Sequence, residues 1–94
     1  MLQKFPDSKI VFFKGESNYT QIFFEDGSRH MVSYTLKKVI AKLSSNSGYL
    51  RIHKTFVVNP EFIFSKIENT GGHFVLLKNG TILPVSRRRR NFDC

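Results

Sequence analysis

Short apolar runs separated by turn-forming residues dominate the first third of the chain. Residues 9–13 and 19–24 have the apolar patterns of two strands, and residues 15–18 between them predict a turn or loop. Asp26-Gly27 is a typical two-residue hairpin turn, so residues 29–32 are predicted to return as a third strand. This part of the chain is therefore predicted to be antiparallel β-structure.

The apolar spacing then changes to that of an amphipathic helix. The i, i+3, i+4, i+7 positions of its apolar stripe are Leu36, Val39, Ile40 and Leu43. The other side of this helix carries Lys37, Lys38 and Lys42. We interpret these lysines as a solvated face, with a direct binding role as the less favoured alternative. Ser33 or Thr35 can supply the N-cap oxygen, and the loop-forming residues 44–48 end the helix.

A break is predicted within the strand-forming segment 49–58. Strict alternation would place Lys54 on one face with apolar neighbours. A bulge or loop near His53 and Lys54 avoids this by pushing the lysine outward. Asn59-Pro60 ends the segment, because proline cannot donate to a strand ladder. A lone histidine beside apolar strands is usually structural, and we favour that interpretation of His53.

The remaining residues predict a small antiparallel sheet. A helical turn is predicted at 61–63, and strands follow at 64–68, 73–77 and 81–85. Hairpin turns are supplied by residues 69–72 and by Asn79-Gly80. The fold class is therefore mainly β, with small antiparallel sheets, one packed amphipathic helix and short helical turns. The order of the strands in the sheets does not follow from the pattern.

Composition narrows the class of protein. The 94 residues suffice for one domain, and a hydrophobic content of 40% supports a compact core. The 15 lysines and arginines exceed the 7 acidic residues, which gives a net charge of +8. Such a charge favours a polyanionic partner: DNA, RNA or an anionic membrane face. The sequence has no apolar run long enough to span a membrane and no signal-peptide pattern, so we expect a cytoplasmic protein.

The titratable residues do not suggest catalysis. The carboxylates have no paired spacing, and no nucleotide-binding or hydrolase motif is present. The three histidines are too far apart for a zinc motif, and the single cysteine, Cys94, cannot form an internal disulfide. We therefore expect no enzymatic activity, no catalytic residue, no metal and no cofactor.

Four consecutive arginines near the end of the chain, Arg87 to Arg90, are the strongest local charge feature. Unpaired guanidinium groups cannot be packed into a core. The run is therefore either a solvated charged tail or a contact surface for phosphates and guanine edges, for which arginine is geometrically suited. The sequence leaves both interpretations open.

Two motifs carry a family resemblance: residues 50–59, LRIHKTFVVN, followed by Ile63, and residues 83–88, LPVSRR. The first is similar to the signature R-x-H-[KR]-[ST]-[FY]-x-V-N-x-x-x-I and the second to the closing motif of one family. The chain therefore resembles the LytTR-type domains, which are DNA-binding output domains of bacterial transcription regulators in two-component systems. The opening strand with Asn18-Tyr19 and the Leu-Lys helix start also agree. The resemblance covers residues 8–92, preceded by a short lead, 1–7.

This resemblance implies an elongated fold of small antiparallel sheets with a helix alongside. It also implies that loops and strand ends enter the major groove, and that two domains bind tandem, imperfect direct repeats. Its implied partners are double-stranded DNA, a second copy of the domain on tandem sites, and a receiver or sensor domain outside this chain, with no membrane partner. Such regulators usually carry an N-terminal receiver or membrane sensor, which residues 1–94 do not contain.

The DNA-contacting positions follow from the resemblance together with the arginine run. Asn18 and Tyr19 correspond to the loop after the first strand, Lys54 and Thr55 follow the central histidine, and Arg87 belongs to the closing motif. Arg51 matches the signature and is included as a DNA contact, with a structural role as the alternative. The complete predicted set is Asn18, Tyr19, Arg51, Lys54, Thr55, Arg87, Arg88, Arg89 and Arg90. The alternative functions are an RNA-binding module and a basic module that binds an acidic protein partner.

Overall fold

The computed structural model of the protein describes residues 9–42 and 48–86. The first sheet-forming strands are β1 (Ile10–Glu16), β2 (Tyr19–Phe24) and β3 (Arg29–Val32), followed by helix α1 (Leu36–Lys42). The chain continues through β4 (Leu50–His53), β5 (Phe56–Val58) and a 3-10 turn (Pro60–Phe62). It ends in β6 (Ile63–Asn69), β7 (Gly72–Leu77) and β8 (Ile82–Val85). The predicted fold class, mainly β with one helix and a short helical turn, is confirmed.

The strands form two antiparallel sheets. The larger has the order β3-β2-β1-β5-β4, and the smaller has the order β6-β7-β8. The centre of the larger sheet is β1, which pairs with β2 through Phe13 and Ile22 and with β5 through Phe13 and Val57. The β1–β5 pairing joins segments more than 40 residues apart and brings the two halves of the chain together.

Adjacent residues of the larger sheet belong to two separate hydrophobic cores, one on each face of the sheet, because successive side chains of a strand point to opposite faces. On one face, Phe13 and Val57 pack beneath α1 through Leu36 and Val39. On the other face, Phe12, Ile52 and Val58 pack against residues of the smaller sheet, namely Val75, Leu77, Leu83 and Val85. The larger sheet is therefore the middle layer between the helix and the smaller sheet.

Helix α1 has the apolar face that its sequence predicts. Leu36 and Val39 are buried and Ile40 is partly buried, whereas Leu43 lies outside the described residues. Of the two candidate N-caps, Thr35 is the one used, since its Oγ1 accepts a hydrogen bond from the Lys38 N–H at 3.2 Å. No helix in the described residues is long and apolar enough to cross a membrane.

The predicted loop at residues 15–18 is wrong in its extent. Strand β1 continues to Glu16, which pairs with Tyr19, so the turn consists of Ser17 and Asn18 only. Gly15 stays in the strand because its N–H donates to the Thr55 carbonyl at 2.8 Å. A Cβ at this position would lie 3.0 Å from the Leu36 Cβ, so the missing side chain also lets α1 approach the sheet closely.

The predicted break after His53 is confirmed. Strands β4 and β5 are joined by a two-residue turn, Lys54 and Thr55, with an irregular register between Arg51 and His53. Lys54 is exposed, as the predicted break requires. The helical turn predicted at 61–63 lies one residue earlier, because the Asn59 side chain accepts a hydrogen bond from the Glu61 N–H and begins it.

Candidate nucleic-acid interface

Two tight turns lie side by side at one end of the larger sheet. Strands β1 and β5 are antiparallel, so the end of β1 adjoins the start of β5, where Lys14 pairs with Phe56. The hydrogen bond from the Gly15 N–H to the Thr55 carbonyl extends this pairing into the β4–β5 turn. The turn at Ser17–Asn18 and the turn at Lys54–Thr55 therefore project from the same end of the sheet, which we call the turn end.

The connection from β3 to α1 is also at the turn end. Thr20, at the start of β2, pairs with Val32 at the end of β3, so the chain leaves β3 at this end. The buried Thr20 Oγ1 donates to the Tyr34 carbonyl at 2.9 Å and fixes the connection to the sheet. Thr20 is completely inaccessible, and it is the one buried polar residue found in the described ranges.

An open groove of about 420 Å³ separates the first hairpin turn from the start of α1. Its lining residues are Asn18, Ser33, Tyr34, Thr35, Lys37, Lys38 and Ala41. Lys38 Nζ lies 5.8 Å from the centroid of the Tyr34 ring, within range of a cation–π contact. The groove places Lys37 and Lys38 beside Asn18 at the turn end.

The last described residue also lies close to this region. The Ser86 N–H donates to the Ile52 carbonyl at 2.8 Å, so the chain leaves β8 beside β4. The sequence continues directly from Ser86 into the arginine run. The predicted contacts Arg87, Arg88, Arg89 and Arg90 are outside the described residues.

The other predicted contact residues differ in how they are held. Asn18 and Lys54 are exposed, whereas Tyr19 and Thr55 are partly buried. Thr55 Oγ1 lies 3.0 Å from His53 Nδ1. The Arg51 guanidinium donates to the carbonyl of Lys54 at 2.8 Å and to that of His53 at 3.4 Å. Arg51 and Thr55 therefore make contacts within the turn, while Lys54 extends from it.

The turn end and the opposite end of the sheet differ in charge. Glu25 and Asp26 lie in the β2–β3 turn at the opposite end, where Glu61 Oε2 also accepts a hydrogen bond from Lys9 Nζ at 2.6 Å. At the turn end, the carboxylate of Glu16 lies 3.4 Å from Lys14 Nζ. Exposed lysines there include Lys54 and the two that line the groove. The lysines of the turn end thus face away from most of the acidic side chains near the larger sheet.

Hydrogen bonds lower the pKa of two carboxyl groups at the opposite end, those of Glu61 and Asp26. The hydrogen bond from Lys9, reinforced by its charge, lowers the pKa of the Glu61 carboxyl, and Glu61 raises the pKa of the Lys9 ammonium in turn. Hydrogen bonds from the Ser28 hydroxyl and N–H lower the pKa of the Asp26 carboxyl. The opposite end therefore mixes carboxylates with cations such as Lys9 and the exposed Arg29, whereas exposed lysines predominate at the turn end.

Lys37 and Lys38 are exposed, in agreement with the predicted solvated face of the helix. They also line the groove next to Asn18, a position that the sequence pattern does not indicate. The helical spacing of these lysines does not show which residues lie opposite them. The pairing of Thr20 with Val32 brings the start of α1 to the turn end, and this pairing exists only in the folded sheet.

Most phenylalanines of the larger sheet offer little surface for stacking bases, whereas Phe64 on the smaller sheet is exposed. Phe12, Phe13 and Phe24 are buried in the two cores. Phe23 is partly buried and stacks on Phe12, with ring centroids 4.3 Å apart. In the described residues, no group of three or more His, Cys, Asp or Glu side chains is placed to hold a metal ion. The exposed polar groups at the turn end include the amide of Asn18 and the ammonium groups of Lys37, Lys38 and Lys54.

The charge, the fold and the turns that meet at one end of the larger sheet define a small, basic, mainly β domain. Comparison with known proteins shows the family to which this domain belongs. Residues 2–91 match the LytTr DNA-binding domain family, and the chain belongs to that family. The chain is 34% identical over 88 residues to the sensory transduction protein LytT of Bacillus subtilis (strain 168). That match covers 86% of this chain and 34% of LytT, so the chain spans about a third of this relative's length.

A solved structure has the same fold. It is the LytTr DNA-binding domain of a putative methyl-accepting/DNA response regulator from Bacillus cereus, with a TM-score of 0.74. Its sequence is 23% identical, and the match covers 87% of this chain and 74% of that chain.

Proposed function

We propose that this domain binds specific duplex DNA sequences as the output domain of a bacterial transcriptional regulator, and that it contacts DNA through the turn end. The observation that carries this proposal is the hydrogen bond between the Gly15 N–H and the Thr55 carbonyl. It sets the two exposed turns next to each other. Membership of the LytTr DNA-binding domain family supports DNA as the polyanion that the charge of +8 favours.

The size of the turns suits the major groove. That groove is about 12 Å wide and admits an element no wider than a helix or a two-stranded ribbon. The hairpin formed by β1 and β2 and the hairpin formed by β4 and β5 are both two-stranded, and each ends in a two-residue turn. We infer that these turns enter the groove, with Asn18 and Lys54 at their exposed tips.

The side chains divide into base-reading and phosphate-binding groups. An amide such as that of Asn18 both donates and accepts hydrogen bonds, and an ammonium such as that of Lys54 donates to guanine O6 and N7. Arg87 follows directly after the backbone anchored at Ser86, and its planar fork suits guanine. Lys37 and Lys38 would contact phosphates that flank the DNA major groove. Such contacts fix the position of the domain without reading the base sequence.

Two partners besides DNA belong to this proposal. A second copy of the domain occupies the neighbouring repeat of a tandem site. A receiver or sensor domain outside this chain would control the domain, and the name of the relative LytT, a sensory transduction protein, supports that context. The cytoplasm is where such a regulator meets DNA.

Selection of bound sequences from random duplexes tests the proposal. We expect a recovered consensus that wild-type protein binds at least about 1000-fold more tightly than a scrambled duplex, the lower end for specific binders. Lys54→Ala and Asn18→Ala should reduce this preference, whereas Lys66→Ala on the smaller sheet should leave it unchanged. Tighter binding to single-stranded RNA or to an acidic peptide than to any selected duplex would contradict the proposal and favour the alternative modules.

A further inference from the structure

The turn that presents Lys54 lacks the backbone conformation that such short turns usually use. Two-residue hairpin turns mostly require a positive φ, which glycine or asparagine supplies. In the described residues, Ser17 is the only non-glycine residue with a positive φ, so neither Lys54 nor Thr55 adopts it. The β4–β5 turn therefore keeps its conformation without a residue of positive φ.

Two side chains from β4 hold this turn through a single peptide group. The carbonyl of Lys54 accepts a hydrogen bond from Arg51 Nη2 at 2.8 Å. The N–H of Thr55 donates to His53 Nδ1 at 3.2 Å. Because this carbonyl and this N–H belong to the same peptide bond, both of its polar ends are bonded to side chains. We call this pair of hydrogen bonds the turn clamp.

The turn clamp defines the chemistry of His53. A backbone N–H can only donate, so the hydrogen bond from the Thr55 N–H requires the tautomer in which Nδ1 is unprotonated and Nε2 carries the proton of the neutral ring. The Thr55 hydroxyl, 3.0 Å from Nδ1, contacts the same side of the ring. The ring also packs against Phe56, with centroids 5.9 Å apart and an edge-to-face geometry. The contacts with Thr55 and Phe56 therefore fix the orientation of the His53 ring, and the ring in turn holds the turn.

The orientation of this peptide affects Lys54 directly. The two commonest turn conformations, types I and II, differ by a flip of the central peptide. A flip would break both hydrogen bonds of the clamp and would force Thr55, a β-branched residue, towards a positive φ. The adjoining Thr55 carbonyl is fixed as well, since it accepts a hydrogen bond from the Gly15 N–H.

We propose that Arg51 and His53 are positioning residues for sequence recognition: by clamping the Lys54–Thr55 peptide, they aim the exposed Lys54 at the DNA. This inference rests on the proposed function and deepens it, since it assigns Arg51 to the turn rather than to the DNA surface. An aimed ammonium discriminates between base edges, whereas a mobile one contributes mainly non-specific attraction to phosphates. The clamp therefore acts on specificity more than on total affinity.

A double-mutant cycle tests this proposal through the ratio of affinities for a selected duplex and a scrambled duplex. His53→Phe keeps a ring but removes the acceptor, and we expect it to lower the ratio about tenfold while scrambled-duplex binding changes by less than about twofold. In a Lys54→Ala background, His53→Phe should change the ratio by less than about twofold, because its effect passes through Lys54. Arg51→Met should show the same dependence on Lys54.

Conservative and matched variants separate positioning from folding. His53→Asn should retain the ratio within about threefold, because an asparagine oxygen accepts a hydrogen bond from the N–H two residues on. His73→Phe, at a partly buried histidine of β7, should leave the ratio unchanged. Thermal unfolding of each variant shows that the comparison is made on folded protein.

The outcomes are distinct. An undiminished ratio in His53→Phe, or an equal loss with and without Lys54, would overturn the positioning role. Rapid exchange of the Thr55 amide proton in the wild-type protein would also overturn it, because the clamp would then not form in solution. Failure of the proposed function appears separately, as a wild-type protein with no preference for any selected duplex.

Discussion

At the scale of single residues, Thr20 shows how a buried polar group supports an exposed site. Its hydroxyl is inaccessible and donates to the Tyr34 carbonyl, which lies in the connection that lines the groove. Thr20→Val keeps the shape of the side chain but leaves that carbonyl without this donor. We expect a loss of unfolding free energy of about 1–3 kcal/mol, measured by urea denaturation.

An exposed threonine provides the control for this prediction. Thr70 lies in the β6–β7 turn, and Thr70→Val should change the unfolding free energy by less than about 0.5 kcal/mol. Equal losses in the two variants would show that the Thr20 hydrogen bond is not what stabilises the β3–α1 connection.

The arginines of the run are predicted to differ in function according to their distance from the hydrogen-bonded backbone of Ser86: the nearest reads bases and the farthest binds phosphate. Arg87 directly follows Ser86, whereas Arg90 lies three residues further along. Arg87→Ala should therefore cost about 1–3 kcal/mol on a selected duplex and little more than one ionic contact on a scrambled one. Arg90→Ala should weaken binding to both duplexes by a similar, smaller amount.

Affinities of both variants at two salt concentrations check this division. Arg90→Ala should also flatten the dependence of log K on log salt by about 1, the contribution of one phosphate contact. If Arg87→Ala lowers the affinity for selected and scrambled duplexes equally, Arg87 binds phosphate and another residue reads the bases.

At the scale of elements, local chemistry made most of the strands and the helix predictable. Asp26-Gly27 and Asn79-Gly80 both lie in hairpin turns, but the two-residue turn expected at Asp26-Gly27 is wrong. The Phe24 N–H donates to the Ser28 carbonyl and the Leu77 N–H donates to the Thr81 carbonyl, so the loops consist of residues 25–27 and 78–80. Gly27 and Gly80 supply the positive φ values, +90° and +93°, that the last position of such a loop uses. The break at Lys54 followed from an alternation that would have placed a charge among apolar side chains. Each of these signals spans only a few residues.

The arrangement of the elements was not predictable in the same way. The β1–β5 pairing joins distant segments, and many strand orders satisfy the same apolar pattern. The extent of β1 was misjudged for this reason, since Gly15 is a turn-forming residue by itself and a strand residue once Thr55 is its partner. The family motifs pointed to Asn18 and Lys54, but only the pairing of the sheet places their turns side by side.

Gly15 makes the contact between β1 and α1 possible, and its substitution tests the layer packing. A Cβ added here would lie 3.0 Å from the Leu36 Cβ, which belongs to a short helix and cannot swing away as a flexible side chain can. We expect Gly15→Ala to cost about 1–3 kcal/mol of unfolding free energy, as overpacked cores do. Urea denaturation gives this value.

Gly71→Ala is the matched variant. The nearest atom to its added Cβ is the Asn69 Oδ1 at 3.2 Å, which accepts a hydrogen bond from the Gly71 N–H in an exposed turn, away from either core. Its cost should be within about 0.5 kcal/mol. A Gly15→Ala protein as stable as the wild type would mean that helix α1 is not held as closely to the sheet as the Leu36 contact indicates.

At the scale of the whole molecule, the charge asymmetry predicts how binding depends on salt. The turn end carries exposed lysines, and the chain continues from Ser86 into four more cations. If roughly five to eight phosphates are neutralised, log K should fall with log salt with a slope of about −4 to −7. Titration of a scrambled duplex at several salt concentrations measures this slope, and a value near zero would show that the basic surface does not contact the DNA.

The association state is the last prediction at this scale. The large apolar side chains that the described residues expose are Met31, Phe64 and Ile82. Met31 lies on β3 of the larger sheet, while Phe64 and Ile82 lie on the two edge strands of the smaller sheet with β7 between them. Three exposed large apolar side chains are normal for a monomer, whereas a stable dimer buries roughly 800 Å² on each partner.

We therefore expect a monomer at micromolar concentration that pairs only on DNA. Sedimentation should show one copy in solution, one on a duplex with a single selected repeat and two on a tandem duplex. DNA brings the second copy to a high effective concentration, so a weak contact suffices there. Inserting about five base pairs between the repeats turns one site to the opposite face of the duplex and should remove any cooperativity between the copies while preserving the affinity of each single site. A stable dimer without DNA would contradict this prediction, because an interface of standard size would then have to exist on the protein alone.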